Sequence, residues 1–200
     1  GTANRFQQNV VICEDRLKGA TGQRVGLSLG GGGTGPAYCR DHRCITEQDG
    51  GVIEANLIMS CSDDGIYINR SAGSKIFHNT VIDTGGVVVR FPESSADVEG
   101  NLVDASIRTR DQGILRSVDN METSLTQTYL GWHPVRNLYV GATAFDFNWS
   151  RTAPKRTRTS HVPLDLCQRE ARPGMPAYGA FEKFSGCVVT RPAGVTGNSD

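Results

Sequence analysis

One short phrase returns along this chain: an asparagine followed by an apolar, strand-forming run. It reads Asn9-Val-Val-Ile-Cys13, Asn56-Leu-Ile-Met-Ser60, Asn79-Thr-Val-Ile-Asp83 and Asn101-Leu-Val-Asp-Ala105. Asn56 and Asn79 stand 23 positions apart, Asn79 and Asn101 stand 22 apart. The 47 positions from Asn9 to Asn56 include a Gly-rich, cysteine-bracketed insertion, 30–50; without those 21 residues the interval falls to 26, close to one period. A fixed period of this length restricts the fold strongly, because each unit must bury its apolar side against its neighbours.

Two further columns keep the period. Gly26-Leu-Ser-Leu29, Gly65-Ile-Tyr-Ile68, Gly86-Val-Val-Val89 and Gly113-Ile-Leu-Arg116 each set a glycine before a short run. Val52-Ile-Glu-Ala55, Lys75-Ile-Phe-His78 and Asp97-Val-Glu-Gly100 precede the next asparagine. Alternation puts Leu27/Leu29, Ile66/Ile68 and Val87/Val89 on one face and Ser28, Tyr67 and Val88 on the other. The expectation is an all-β, right-handed parallel β-helix of about four coils, each about 22 to 23 residues with three short strands. Asn9, Asn56, Asn79 and Asn101 would form a buried amide ladder at one corner. Gly26, Gly65, Gly86 and Gly113 would meet positive φ at another. The coils would occupy 1–117, with 118–200 as a capping segment and tail. The aromatic stretches around Trp132 and 144–149 would close the open core, and the polar run after Asp119 would start a short helix.

Composition fits a stack. A hydrophobic fraction of 38% is low for a compact globule but sufficient for a thin central column. Lys plus Arg and Asp plus Glu number 21 each, which argues against a general nucleic-acid binder. No run approaches the roughly 18 apolar residues of a membrane span. Gly1–Gln8 has no apolar signal-peptide core, and the immediate entry into a strand-like run predicts earlier coils upstream of Gly1.

Six cysteines permit three disulfides. Cys39 and Cys44 bracket a short polar loop, 40–43. Cys167 and Cys187 lie near the end. The coil register brings Cys13 beside Cys61. A zinc reading has only Cys39, His42 and Cys44 at poor ligand spacing, with no second cysteine pair. Disulfides are therefore favoured, and with them an extracellular or periplasmic location.

The Asn and Gly columns over about 9–117 and the C-terminal residues Pro163-Leu-Asp165, Arg172-Pro-Gly and Tyr178-Gly-Ala-Phe-Glu182 resemble secreted bacterial parallel β-helix repeat proteins of the pectate-lyase-like kind. Tyr178 stands where that closing motif usually has Ile. The resemblance implies secretion and binding or processing of an acidic polysaccharide, with a base and a cation, calcium or arginine, on a uronate carboxylate. It supplies no clear catalytic set, and fold alone does not give function.

Among outward positions, Tyr67, Asn69, Arg70, Arg90 and Arg116 are the substrate-binding candidates, with Asn69, Arg90 and Arg116 expected as a stripe on successive coils. Arg90 is the catalytic candidate. Arg108 and Arg110 also point outward, and Asp63, Asp64, Asp83, Glu93 and Asp111 are nearby acids. Asp63-Asp64 before Gly65 reads as a turn, and no metal site is assigned. His78 reads as a packed corner residue; His42, His133 and His161 lie in loops without an evident partner. The basic stretch 151–161 reads as solvated surface. Gly30–Gly33 lacks the Gly-Lys-Ser/Thr and helix of a phosphate loop. Asn69-Arg-Ser71 and Asn148-Trp-Ser150 are glycosylation sequons for a eukaryotic secretory host. The alternative function is structural: an exposed coil end that pairs with upstream coils, another chain or a copy of itself.

Overall fold

The structure is a computed structural model, and it describes residues 1–14, 22–39, 42–157, 164–170 and 175–187. The first coil holds β1 (Arg5–Gln7), β2 (Val10–Ile12) and β3 (Leu27–Gly30). β4 (Gln48–Asp49) precedes the second coil, β5 (Val52–Glu54), β6 (Leu57–Cys61) and β7 (Ile66–Asn69). β8 (Ser71–Ala72) pairs with β4 and leads into β9 (Ser74–Phe77), β10 (Thr80–Thr84) and β11 (Val87–Arg90). The fourth coil is β12 (Ser95–Glu99), β13 (Leu102–Val103) and β14 (Ile107–Arg110). β15 (Ile114–Val118) and β16 (Met121–Glu122) begin a fifth. A short α1 (Leu125–Tyr129) and the antiparallel pair β17 (Tyr139–Gly141) and β18 (Asp146–Trp149) follow.

Corresponding strands stack into three parallel sheets. The first has the order β1-β5-β9-β12-β15, the second β2-β6-β10-β13-β16, the third β3-β7-β11-β14. The fold is thus the expected parallel β-solenoid, with about three regular turns rather than four. The difference lies at the ends: residues 13–26 separate β2 from β3, and the fifth coil has no third strand among the described residues. There the Glu122 carboxylate takes the missing strand's place and accepts the Ile107 N–H at 2.6 Å.

Inside, apolar side chains stack coil upon coil. Ile53, Ile76 and Val98 are in register in the first sheet, Ile58, Val81 and Val103 in the second, and Ile66, Val87 and Ile107 in the third. Most of them are fully buried, each burial contributing about 1.5–3 kcal/mol. Cys13–Cys61 ties the first two coils together, and Cys39–Cys44 and Cys167–Cys187 complete the three expected disulfides.

The amide ladder forms as expected. Each rung donates its backbone N–H and its side-chain Nδ2 to the Oδ1 of the next: Asn9 to Asn56 at 2.9 and 2.9 Å, Asn56 to Asn79 at 3.1 and 2.9 Å, and Asn79 to Asn101 at 2.8 and 2.9 Å. A fifth rung, Asn120, receives Asn101 at 2.9 and 2.9 Å, so the repeat continues past Ser117. The residue before each rung is left-handed: Gln8, Ala55, His78, Gly100 and Asp119. The four column glycines have a different role from the one expected. Only Gly86 has positive φ. The others are needed for closeness: a Cβ on Gly26 would sit 2.5 Å from the Gly65 carbonyl oxygen, and one on Gly113 would sit 2.3 Å from that of Val89.

The described residues of the C-terminal third cover the side of the second sheet. Leu57, Met59, Ile82 and Leu102 point outward and pack with Leu138, Tyr139, Phe145, Phe147, Tyr178 and Phe181 in a second apolar cluster. The reason is legible in the strands: runs such as Leu57-Ile58-Met59 and Leu102-Val103 are apolar at consecutive positions, so both faces must be buried. Trp149 joins this cluster, whereas Trp132 stays exposed. Within the closing motif, Gly179 N–H donates to the Gly100 carbonyl at 2.9 Å, and Ala180 N–H to Thr80 Oγ1 at 2.9 Å. Arg172-Pro-Gly, His161 and Pro163 lie outside the described residues. The short helix after Asp119 is present, with Ser124 as its N-cap.

Candidate functional site

The outer face of the third sheet gathers most of the predicted binding residues. Parallel pairing aligns Ser28, Tyr67, Val88 and Arg108 in one outward row, and Gly30, Asn69, Arg90 and Arg110 in the next. Neighbouring members of a row are about 4.8 Å apart. Asn69 Nδ2 donates to the Tyr67 hydroxyl at 3.2 Å, and Arg90 Nη1 donates to the same oxygen at 3.2 Å. Arg90 also pairs with Asp111 through Nε, and its guanidinium lies 4.5 Å from the centre of the Phe91 ring. Tyr67 thus joins Asn69 and Arg90 across two coils.

Arg116 is not part of this face. Its strand, β15, belongs to the first sheet, where Arg116 is opposite Asp97 and forms an exposed ion pair at 3.6 Å. The residue in register with Asn69 and Arg90 is Arg110. Gly113 misdirects the alignment because it imitates the second-column glycine. In the fourth coil Ser106 fills that place: Val87 N–H donates to the Ser106 carbonyl as Ile66 N–H does to that of Gly86. Arg70 occupies the corner after β7, exposed and left-handed at φ 52°, beside the row rather than in it.

Arg108 extends the site. Its guanidinium meets the Gly85 carbonyl, Ser106 Oγ at 3.2 Å and Asp64 Oδ1 at 3.0 Å. Burial pushes the Asp64 carboxyl above its ordinary range, while Arg108 and, more weakly, Arg110 pull it back. Asp63 holds the turn, accepting Arg24 N–H at 2.6 Å. Arg90 is held even more firmly in its protonated form, through its hydrogen bonds to Tyr67 and Asp111. That suits anchoring an anion and does not suit proton abstraction.

Two polar clusters lie elsewhere: one fastens the cover to the corner between the first and second sheets, the other to the far end of the second sheet. Arg156, fully buried, pairs with Glu99, meets Asp119 Oδ2 at 3.2 Å, and donates to His78 Nε2 at 2.6 Å. Tyr178 and Thr157 hydroxyls donate to Asp119 Oδ1 at 2.7 and 2.9 Å. Desolvation works against the Asp119 carboxylate, yet these donors hold its pKa down at about 2. Burial, reinforced by Asp119, pushes the Tyr178 hydroxyl up to about 12. On the other side, the Asp104 side chain has no solvent exposure and accepts from Thr123 at 3.2 Å. His133 Nδ1 lies 3.0 Å from it, and Arg136 Nε 3.7 Å. Burial raises the Asp104 pKa against His133 and Arg136, which lower it. His78 is the packed corner residue expected, whereas His133 has a partner and Arg156 is no surface charge. Residues 158–161 of the basic stretch lie outside the described residues.

Among the described residues, no three His, Cys, Asp or Glu side chains come together to hold a metal ion, and no helix is long and apolar enough to cross a membrane. No family model, curated relative or solved structure matches the chain.

Proposed function

We propose that the outer face of the third sheet binds a carboxylate-bearing polysaccharide outside the cytoplasm. The observation that carries this reading is the in-register row Asn69-Arg90-Arg110, with Arg108 beside it and the buried Tyr67 and Val88 beneath, which puts guanidinium groups on successive coils. Guanidinium forks match carboxylates in geometry and stay charged at every physiological pH. Three disulfides favour an oxidising compartment. The role is binding: Arg90 anchors a carboxylate and does not act as a base. Calorimetric titration with polygalacturonate tests it. The wild type should bind, carboxyl-reduced polymer should not, and Arg90→Ala/Arg110→Ala should weaken binding at least about tenfold. Equal affinity of wild type and variant refutes the site. Growth of the ultraviolet absorbance of unsaturated uronates would show cleavage and overturn the binding-only role.

A second reading rests on the first coil. Among the described residues, β1, β2 and β3 are each paired on one side only, and Asn9 Oδ1 accepts no hydrogen bond. We propose that this edge takes one more coil of the same kind, with an asparagine at its corner. Concentration-dependent association in ultracentrifugation, weakened by Asn9→Ala, supports a coil supplied by a second copy; a monomer at all concentrations excludes that source.

A further inference from the structure

The cover contains a hollow of about 310 Å³ built by the end of β18, the segment after it, and Arg169, Glu170, Glu182 and Lys183. That volume is at the small end for small-molecule sites, about 300–1,000 Å³, so it admits a compact ligand and not a polymer. One wall is Trp149, whose indole is held by one ring face and by its N–H edge. Its ring stacks on Tyr139 at 4.6 Å between centroids, and its Nε1–H donates to the Glu182 carbonyl at 2.9 Å.

The charges around the hollow are unequal. Lys155 is paired with Glu182 at 2.6 Å, and Arg169 with Asp165 at 3.3 Å. Glu182 is further occupied by the Ala177 N–H at 2.5 Å. Arg151 and Lys183 line the same hollow and meet no carboxylate among the described residues; the unpaired acid there is Glu170. Among the described residues, two cations without a carboxylate partner against one such carboxylate leave the hollow about one positive charge in excess. An apolar ring wall with one surplus cation selects a ligand with one flat or apolar face and one negative charge.

We propose that this hollow binds a small ring-bearing monocarboxylate, its carboxylate between Arg151 and Lys183 and its ring against Trp149. The site is made by the cover alone, independently of the saccharide face on the third sheet. Neither Arg151 nor Lys183 contributes to the apolar cluster beneath, so both can be replaced without emptying the core.

The test uses Trp132→Phe, which leaves Trp149 as the sole tryptophan of the two. Its fluorescence is followed during titration with benzoate, benzamide, acetate and inorganic phosphate at constant ionic strength. The expected result is a saturable change with benzoate and affinities at least tenfold weaker for benzamide, which lacks the charge, and for acetate, which lacks the ring. Arg151→Ala/Lys183→Ala in the same background should weaken benzoate at least tenfold while the unfolding midpoint stays unchanged. Equal responses to benzoate and benzamide would remove the charge selection, and equal responses to benzoate, acetate and phosphate would reduce the hollow to a general anion site; either overturns the proposal. So does an unaltered benzoate affinity in the double variant. Polygalacturonate binding by that variant is expected to match the parent, so failure here leaves the third-sheet reading standing.

Discussion

The solenoid and its cover bury similar kinds of residue but are held together on different terms. In the solenoid one set of contacts is repeated: aliphatic side chains stack in register, and one asparagine per coil serves the next. In the cover nothing repeats. Aromatic rings pack at varied angles, from the stacked Tyr139–Trp149 pair to the edge-on Phe145–Phe147 pair. Its polar attachment is concentrated in Arg156 on one side and Asp104 on the other. A repeated contact spreads its energy over the stack. A concentrated one places much of the attachment on a single side chain.

Losing the concentrated contact should have the largest effect. Arg156→Met removes the buried cation shared by Glu99 and Asp119 and is expected to cost about 4 kcal/mol, read as a loss of urea midpoint. A cost near that of a surface ion pair would erase the contrast between the two regions.

Within the solenoid, position along the ladder sets the size of the effect. Asn79→Ala strands the buried Asn56 N–H and one hydrogen of Asn56 Nδ2, whose other hydrogen stays on the Phe6 carbonyl, and is expected to cost about 3 kcal/mol. Asn9 is exposed and is the first rung, so that no rung donates to it; Asn9→Ala should cost about 1 kcal/mol or less. Equal costs would mean that the amides do not act as a chain.

Acid should loosen the cover through Asp119. Its folded pKa of about 2 lies below the ordinary 3.8, so its stabilisation is complete above about pH 4 and disappears as pH falls through about 2. Thermal midpoints between pH 2 and 5 should slope less in Asp119→Asn than in the wild type; superimposable slopes would rule out Asp119 as the source. The smallest effect belongs to Arg116. Its pair with Asp97 is exposed, so Arg116→Ala should change stability by less than about 0.5 kcal/mol. It should also leave polygalacturonate affinity unaltered, whereas a clear loss would return Arg116 to the binding face.

The same contrast decides what was legible in the sequence. Asn9, Asn56, Asn79, Asn101 and the Cys13–Cys61 pair could be read because a period turns distant residues into equivalents. Asn120 escaped because its interval shrinks to 19 and Met121-Glu122 replaces the usual aliphatic run. Arg116 was misassigned because Gly113 falls where a column glycine was due. Tyr67, Asn69 and Arg90 could be placed on one face because register aligns them. Arg108's contact with Asp64 spans 44 positions and two coils. Nothing local marks Arg156, whose partners Glu99 and Asp119 lie 57 and 37 residues away in a segment that reads as basic and polar.

Hydrogen exchange of Arg156→Met, resolved by peptide, tests the division between the two regions most directly. Stability is expected to fall unevenly: amides of β17 and β18 should exchange much faster than in the wild type, while those of β7 and β11 in the third sheet keep most of their protection. Equal loss of protection across both regions would contradict the account, because solenoid and cover would then be one cooperative unit.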